Sequence, residues 1–314
     1  MLKNVSFEVA PAETALRLDR LLRSRFATVC RATVLEAIAR GTVLVNGKPA
    51  RKGDKVQSGD RICVIELAEQ VDLRVLPNPE LPLEVIYEDE ALLGLNKPAG
   101  IPVHPLSFRE TGTLANALVA RYPELATVGN QPLVPALVHR IDTETSGLVL
   151  AAKTSTAYEK LREQFRRQTV GKQYLAIVRG IVSGPGKIES YLRHRRGKVH
   201  RMEAVADPAD CASERLMRAV TRYEPIATCE GMTLLRVTIH TGVTHQIRCQ
   251  LALIGHPVLG DMLYGDRDTE IAVERLFLHA AGITLRHPLT AKILRLEVPA
   301  PVEFRRRWRL DLRV

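Results

Sequence analysis

The chain has 314 residues, 46% of them hydrophobic and 25% charged, and a formal net charge of +10. That length allows two or three domains with a full apolar core, and the composition is ordinary for a soluble globular protein. No run of about 18 apolar residues and no secretory signal is present, which excludes a helical membrane span and export by those signals. The charge is uneven. Residues 17–61 hold eleven Lys/Arg against four Asp/Glu, which leaves only +3 for the rest of the chain. A small basic module on a nearly balanced body points to nucleic acid rather than an anionic membrane, because no apolar stripe accompanies the charge. None of Cys30, Cys63, Cys211, Cys229 and Cys249 lies in Cys-x-x-Cys spacing, and no Cys/His cluster has a zinc signature. Their odd number points to reduced thiols and a cytoplasmic protein.

In chain order, residues 1–14 predict a short strand carrying Val5, Phe7 and Val9, then a loop. Leu18, Leu21, Leu22 and Phe26 form one face of a helix whose other faces carry Arg17, Arg20, Arg23 and Arg25. A second helix is predicted over 31–40, with Val34, Leu35 and Ile38 inward and Gly41 as its stop. Asn46-Gly47 after the apolar run 43–45 signals a hairpin, because both residues tolerate positive φ. A turn at 58–60 precedes a strand over 61–66. Pro77, Asn78, Pro79 and Pro82 interrupt regular structure. The expected organisation is an N-terminal domain over 1–66 (core about 15–66), a linker over 67–82 and a second domain over 83–314.

The second domain opens with two strands around an acidic turn, 83–96, and a Pro/Gly loop, 97–105, that carries Lys97 and His104. A helix is predicted over 113–121. An apolar run of strand character, 134–138, then delivers His139, Arg140, Ile141 and Asp142, and a second apolar run, 148–152, carries the chain away. This reads as strand–turn–strand or strand–turn–helix. An Asp at the rim of a core beside Arg140 suits a carboxylate nucleophile kept anionic by a cation, but the tripeptide alone favours an Asx turn paired with Arg140. A helix follows over 154–167, with Leu161 and Phe165 inward and Arg162, Arg166 and Arg167 outside. In the strand 172–180, Tyr174 shares a face with Ala176 and Val178. Residues 183–213 are the most polar and read as an irregular, mobile arm. Within it, 193–201 holds five cations and two histidines and reads as a phosphate-contacting segment. Strands are predicted over 213–223 and 232–240. Thr241-Gly242 leads into a helix with Ile247, Leu251 and Ile254 on one face and its polar first residues near an exposed, anion-favouring N-terminus. A last strand over 292–301 precedes a basic end, Arg305, Arg306, Arg307 and Arg309 around Trp308.

The stretch His139-Arg140-Ile141-Asp142-Thr143-Glu144-Thr145-Ser146-Gly147 resembles the His-Arg-Leu-Asp-x-x-Thr-Ser-Gly motif of the RluA family of RNA pseudouridine synthases, with Ile141 for Leu. Asn96-Lys97-Pro98-Ala99-Gly100 is similar to that family's Asn-Lys-Pro-x-Gly segment. Lys172, Tyr174, Ala176, Val178 and Gly180 match its Lys-x-Tyr-x-Ala-x-Val-x-Gly strand. Residues 242–250 resemble Gly-Arg-Thr-His-Gln-Ile-Arg-x-His, with Val243 for Arg and Gln250 for His. His256-Pro257, Gly260-Asp261, Tyr264-Gly265 and Leu278-His279-Ala280 extend the match. Near the N-terminus, 17–22, 41–48 and Gly59-Asp60 resemble the S-four-like RNA-binding domain, named for a ribosomal protein.

The resemblance implies an α+β fold: a catalytic domain with a mixed, mainly antiparallel sheet, flanking helices and a cleft at the Asp loop, plus a small N-terminal α/β RNA-binding domain. It implies that uridine in RNA is isomerised to pseudouridine. The glycosidic bond breaks, uracil turns, and carbon 5 is joined to the ribose, with no cofactor and no metal. Asp142 would be the catalytic carboxylate, acting on the anomeric carbon, on base carbon 6 or on a sugar proton. Arg248 would hold it by a charge-assisted hydrogen bond. Tyr174 would stack under uracil and could relay the proton from carbon 5. Arg140 would occupy the space vacated by the flipped base. Arg17, Arg20, Lys48, Arg51, Lys52, Arg195 and Arg196 are the RNA-contact candidates, supplying affinity without sequence reading. Members with the N-terminal module usually act on large-subunit ribosomal RNA, favoured here over transfer RNA. A non-catalytic RNA-binding ribosome-assembly factor is the alternative from another class. A glycosidic hydrolase using Asp142 and Glu144 ranks last. No exposed apolar helix is left unassigned, which points to a monomer.

Overall fold

The computed structural model describes residues 1–69, 74–195, 201–205, 216–265 and 275–308. The chain divides into two compact units, Met1–Arg74 and Val75–Val314. No described helix is long and apolar enough to cross a membrane.

In the first unit, β1 (Leu2–Glu8), β4 (Arg61–Leu67), β2 (Val43–Val45) and β3 (Lys48–Pro49) form one antiparallel sheet in that order. The helices α1 (Leu18–Arg25) and α2 (Arg31–Ala39) bury Leu21, Leu22, Val34 and Ile38 with Val43, Ile62 and Val64 of the sheet. Asn46 and Gly47 take φ of 52° and 78°, as a two-residue turn between β2 and β3 requires. Asp19, buried on α1, is held by Arg17 at 2.8 Å and Arg31 at 3.4 Å. Arg20, Lys48, Arg51 and Lys52 are exposed.

Of the segment 67–82, Leu67 closes β4, while Val75 is buried in the core of the second unit. The Asn116 amide holds the Leu76 carbonyl at 2.7 Å, and the Asn78 N–H donates to the Asn116 carbonyl at 3.0 Å.

The second unit is built on a ten-stranded sheet. Its order is β10 (Met202–Val205), β9 (Gly186–His194), β11 (Met217–Cys229), β12 (Met232–Ile239), β8 (Gly171–Arg179), β13 (Leu278–Arg286), β7 (Ser146–Ala152), β6 (Leu92–Lys97) and β5 (Glu84–Glu88). A further strand, β14 (Ile293–Glu297), pairs with β13. Every described pair is antiparallel except β13 with β7. That junction needs a glycine: at Gly147 (φ 112°) a Cβ would stand 2.2 Å from the Ala280 carbonyl oxygen. The helices are α3 (Leu114–Arg121), α4 (Ser155–Arg166), α5 (Gln246–Leu253) and α6 (Val302–Trp308). Thr154 caps α4 by accepting the Ala157 N–H at 3.2 Å.

Three elements differ from the sequence reading. The run 134–138 is not a strand. Pro135 offers no N–H and Ala136 adopts φ 60°, so only Leu137 bridges to β7, opposite Ala151. The described part of 183–213 is mostly a β9/β10 hairpin, with Arg193 opposite Glu203. Its charges are the solvent face of β9, while Ile188, Ser190 and Leu192 point inward. Finally, the start of α5 is buried rather than exposed, through Gln246, Ile247 and Arg248, whereas Ile254 is 36% exposed. The basic end expected after the last strand begins as α6, with Phe304 fully buried.

Candidate active site

Asp142 stands in a turn between the irregular segment 134–141 and β7. Its carbonyl accepts the Thr145 N–H at 3.1 Å, and Ile141 beside it is buried. His139 ties the segment to β7: Nε2 accepts the Leu150 N–H at 3.0 Å, and the ring stacks on Phe165 at 4.8 Å. Burial, then the charges of Lys172 and Arg162, push its pKa down to about 3, so His139 is a neutral structural group.

Lys97, at the end of β6, is fully buried beneath the turn. Its Nζ donates to the carbonyls of Pro98 (2.8 Å), Ile101 (2.7 Å) and Thr143 (2.9 Å). Three donated bonds use all three N–H groups of an ammonium. Burial lowers its pKa to about 7 against the charges of Glu144 and Asp142. One side chain thus pins the 97–101 loop and the Asp142 turn together.

Arg248, in the first turn of α5, meets them from the other side. Its Nη1 donates to Asp142 Oδ2 at 3.1 Å, while Nε and Nη2 form a fork with Asp261 at 2.7 and 2.8 Å. Asp261 Oδ1 also accepts the N–H groups of Leu263 (2.9 Å) and Tyr264 (3.1 Å). Burial opposes charge on both partners. The hydrogen bonds and Coulomb attraction between them outweigh it, raising the Arg248 pKa and lowering that of Asp261. His245 Nε2 lies 3.9 Å from Asp142 Oδ2, and its Nδ1 is 3.1 Å from the Tyr264 hydroxyl. Burial lowers the His245 pKa, against the pull of Asp142. The left-handed backbone of His245 (φ 53°) starts α5 and delivers Arg248 inward.

Tyr174 is buried on β8, opposite Val237 of β12 and Ala280 of β13. Burial, then the Asp142 charge, raises its pKa, so the phenol is neutral. A cleft of about 940 Å³ brings together Arg140, Asp142, Tyr174 and Arg248. Arg140 is exposed, and no hydrogen bond or ion pair ties it to another described residue. Arg162 is exposed, as expected, and from the surface of α4 it lines the cleft and donates to the Val138 carbonyl at 3.0 Å. Thr145 presents a buried hydroxyl without a partner among the described residues.

The cleft therefore gathers four of the sequence candidates. Arg17, Arg20, Lys48, Arg51 and Lys52 belong to the first unit, and Arg195 is exposed just beyond β9. Arg196 lies outside the described residues. Sequence reasoning missed the roles of Asp261 and His245. No sequence signal shows that Arg248 is buried, and Asp261 is thirteen residues further on, past the end of α5. The Gln250 departure is fully partnered: it accepts from Thr221 at 2.6 Å and donates to Ser190 (2.9 Å) and the Ala219 carbonyl (3.0 Å).

The RNA pseudouridylate synthase family profile matches residues 91–253. An uncharacterized RNA pseudouridine synthase of Bacillus subtilis, YlyB, is 33% identical over 301 residues, covering 96% of this chain and 95% of that protein. Ribosomal large subunit pseudouridine synthase D of Neisseria meningitidis is 35% identical over 298 residues, covering 91% and 76%. Human RNA pseudouridylate synthase domain containing 1 shares the fold with a TM-score of 0.57 at 24% identity, over 70% of this chain and 84% of that one. The chain belongs to the RNA pseudouridylate synthase family. It is accordingly an isomerase acting on RNA, with the family's mixed, mainly antiparallel α+β fold.

Proposed function

We propose that this protein converts uridine to pseudouridine in large-subunit ribosomal RNA, with Asp142 as its catalytic carboxylate. The observation that carries the reading is the Asp142–Arg248–Asp261 chain at the edge of the Tyr174 cleft. A carboxylate oriented by one arm of a locked guanidinium can act on the anomeric carbon, on carbon 6 of the base or on a sugar proton. Each route frees uracil to turn and rejoin through carbon 5. The neutral phenol of Tyr174 offers a flat face for uracil, and Arg140, unengaged at the rim, is free to enter the space vacated by a flipped base. The Thr145 hydroxyl is available to a bound nucleotide.

The rRNA assignment is supported by relatives from Neisseria meningitidis and Pseudomonas aeruginosa, each named ribosomal large subunit pseudouridine synthase D. The first unit acts in this reading as an S-four-like RNA-binding domain. Exposed Arg20, Lys48, Arg51 and Lys52, with Arg195 of the second unit, contact phosphate without reading sequence. The protein works as a monomer in the cytoplasm.

The test is pseudouridine mapping of ribosomal and transfer RNA from cells lacking the gene, complemented with wild type or Asp142→Asn. Specific ribosomal sites are expected to vanish, return with wild type and stay absent with the variant. Restoration by the variant would replace catalysis with a scaffold role; sites in transfer RNA alone would replace the substrate.

A further inference from the structure

A second cavity, of about 620 Å³, opens beside Asp142. It shares Arg140, Ile141, Asp142, His245 and Arg248 with the main cleft but does not include Tyr174. Its lining includes Leu106 and Met262, 82% and 85% exposed, the two most exposed large apolar side chains among the described residues. They come from separate loops, so only folding places them at one opening. The Leu106 backbone is held there, its N–H donating to Glu110 at 2.9 Å. Leu276 is buried in the same lining. His104 presents a buried Nδ1 with no partner among the described residues. Burial lowers the His104 pKa, so its imidazole is neutral and fit to hydrogen-bond a base edge.

Single exposed apolar residues are ordinary, but two at an opening onto the catalytic carboxylate are not explained by packing. Resting on the proposed function, we infer that this cavity receives the nucleotide adjacent to the target uridine, its base stacked on Leu106 and Met262 and its edge met by His104. The volume lies within the range of about 300–1,000 Å³ typical of small-ligand sites. Turning a uridine out of its stack strips its neighbour of one stacking partner, and apolar side chains replace that contact. Arg140, Arg248 and Arg275 in the lining are matched by Glu110, Asp142 and Glu144, so charge does not choose the occupant; continuity with the uridine cleft, through Arg140, Asp142 and Arg248, favours the RNA strand that carries the target uridine.

The experiment compares wild type with the Leu106→Ser/Met262→Ser double variant on ribosomal RNA extracted from cells lacking the gene and on ribosomal particles from the same cells. It is repeated on short synthetic RNA fragments spanning the mapped uridine, each flanking nucleotide replaced in turn by an abasic one. Both side chains are largely in solvent, so the variant should fold, which its unfolding midpoint verifies. The double variant should lose about 10-fold in kcat/KM. An abasic residue at one flank should lower wild-type kcat/KM by a similar factor and leave the double variant unaffected. Unchanged kcat/KM in the double variant overturns the inference, as do abasic and protein effects that simply multiply. A defect seen on ribosomal particles but not on naked RNA would mean the two side chains meet protein, and overturns it too. Wild type converting no uridine in any of these RNAs would remove the functional reading beneath it, an outcome separate from all the others.

Discussion

In the first unit Arg20, Lys48, Arg51 and Lys52 stand in solvent, whereas in the second Lys97, Lys172 and Arg248 are buried against carbonyls or carboxylates. Exposed cations are exchangeable and screened by salt; together they supply affinity that no single position dominates. Buried cations have fixed partners, and removing one strands the others. In the proposed function, the contrast separates binding, spread over a surface, from chemistry, held at one point. Arg140 stands between the two: exposed like the first group, yet placed at the carboxylate.

The contrast breaks most sharply at Arg248. Arg248→Met should lower turnover by about 10³-fold at saturating RNA, because Asp142 loses its only charged hydrogen-bond donor among the described residues. The same change should cost about 3–5 kcal/mol of stability in denaturant titrations, since Asp261 is left buried and uncompensated. A loss confined to RNA affinity would contradict the distinction.

Asp261→Asn should follow, with turnover down about 10–100-fold and RNA affinity intact, as Arg248 loses the fork that aims it. It also has a pH signature. The Asp261 pKa is lowered on folding, so its stabilisation is present above the ordinary carboxyl range and disappears as pH falls through the folded value. Acid titration of stability should therefore be shallower in the variant than in wild type.

Lys97→Met should cost about 3 kcal/mol, measured by denaturation, because three carbonyls lose their donor. Since the Lys97 pKa is lowered to about 7 by burial, the unfolded chain holds a proton there that the folded chain releases as pH rises above about 7. Wild-type stability relative to this variant should rise with pH from there to the ordinary lysine range.

The smallest effect per residue is expected in the first unit. A Lys48→Ala/Arg51→Ala/Lys52→Ala triple variant should raise KM several-fold, leave kcat unchanged and reduce the slope of log affinity against log salt by about 0.7–0.9 per lost phosphate contact. A fall in kcat would move these residues into the chemistry.

The sequence exposed local features well. The Asn46-Gly47 turn, the α1 and α4 faces and the strand of Tyr174 follow from spacing alone. The gathering of Asp142, Tyr174 and Arg248 at one cleft follows from the resemblance, because these residues lie on different elements. What stayed hidden was contact between distant segments. Nothing in the Asn96-Lys97-Pro98 stretch says that its lysine is buried under Thr143, and nothing near Gly260-Asp261 says that its acid faces Arg248. The β9/β10 hairpin was hidden by its own solvent face, where Lys187 and Arg218 pair with Glu189, and Arg193 pairs with Glu203. The run 134–138 misled in the opposite direction: Ala136, Leu137 and Val138 are buried, but Pro135 and the left-handed Ala136 deny it a ladder.

The most direct test is single-turnover pseudouridine formation on saturating ribosomal RNA from cells lacking the gene, with wild type and Asp142→Asn side by side and RNA binding measured on the same samples. The account predicts equal binding and no detectable pseudouridine with the variant. Turnover by Asp142→Asn within an order of magnitude of wild type would contradict the assignment of the chemistry to this carboxylate.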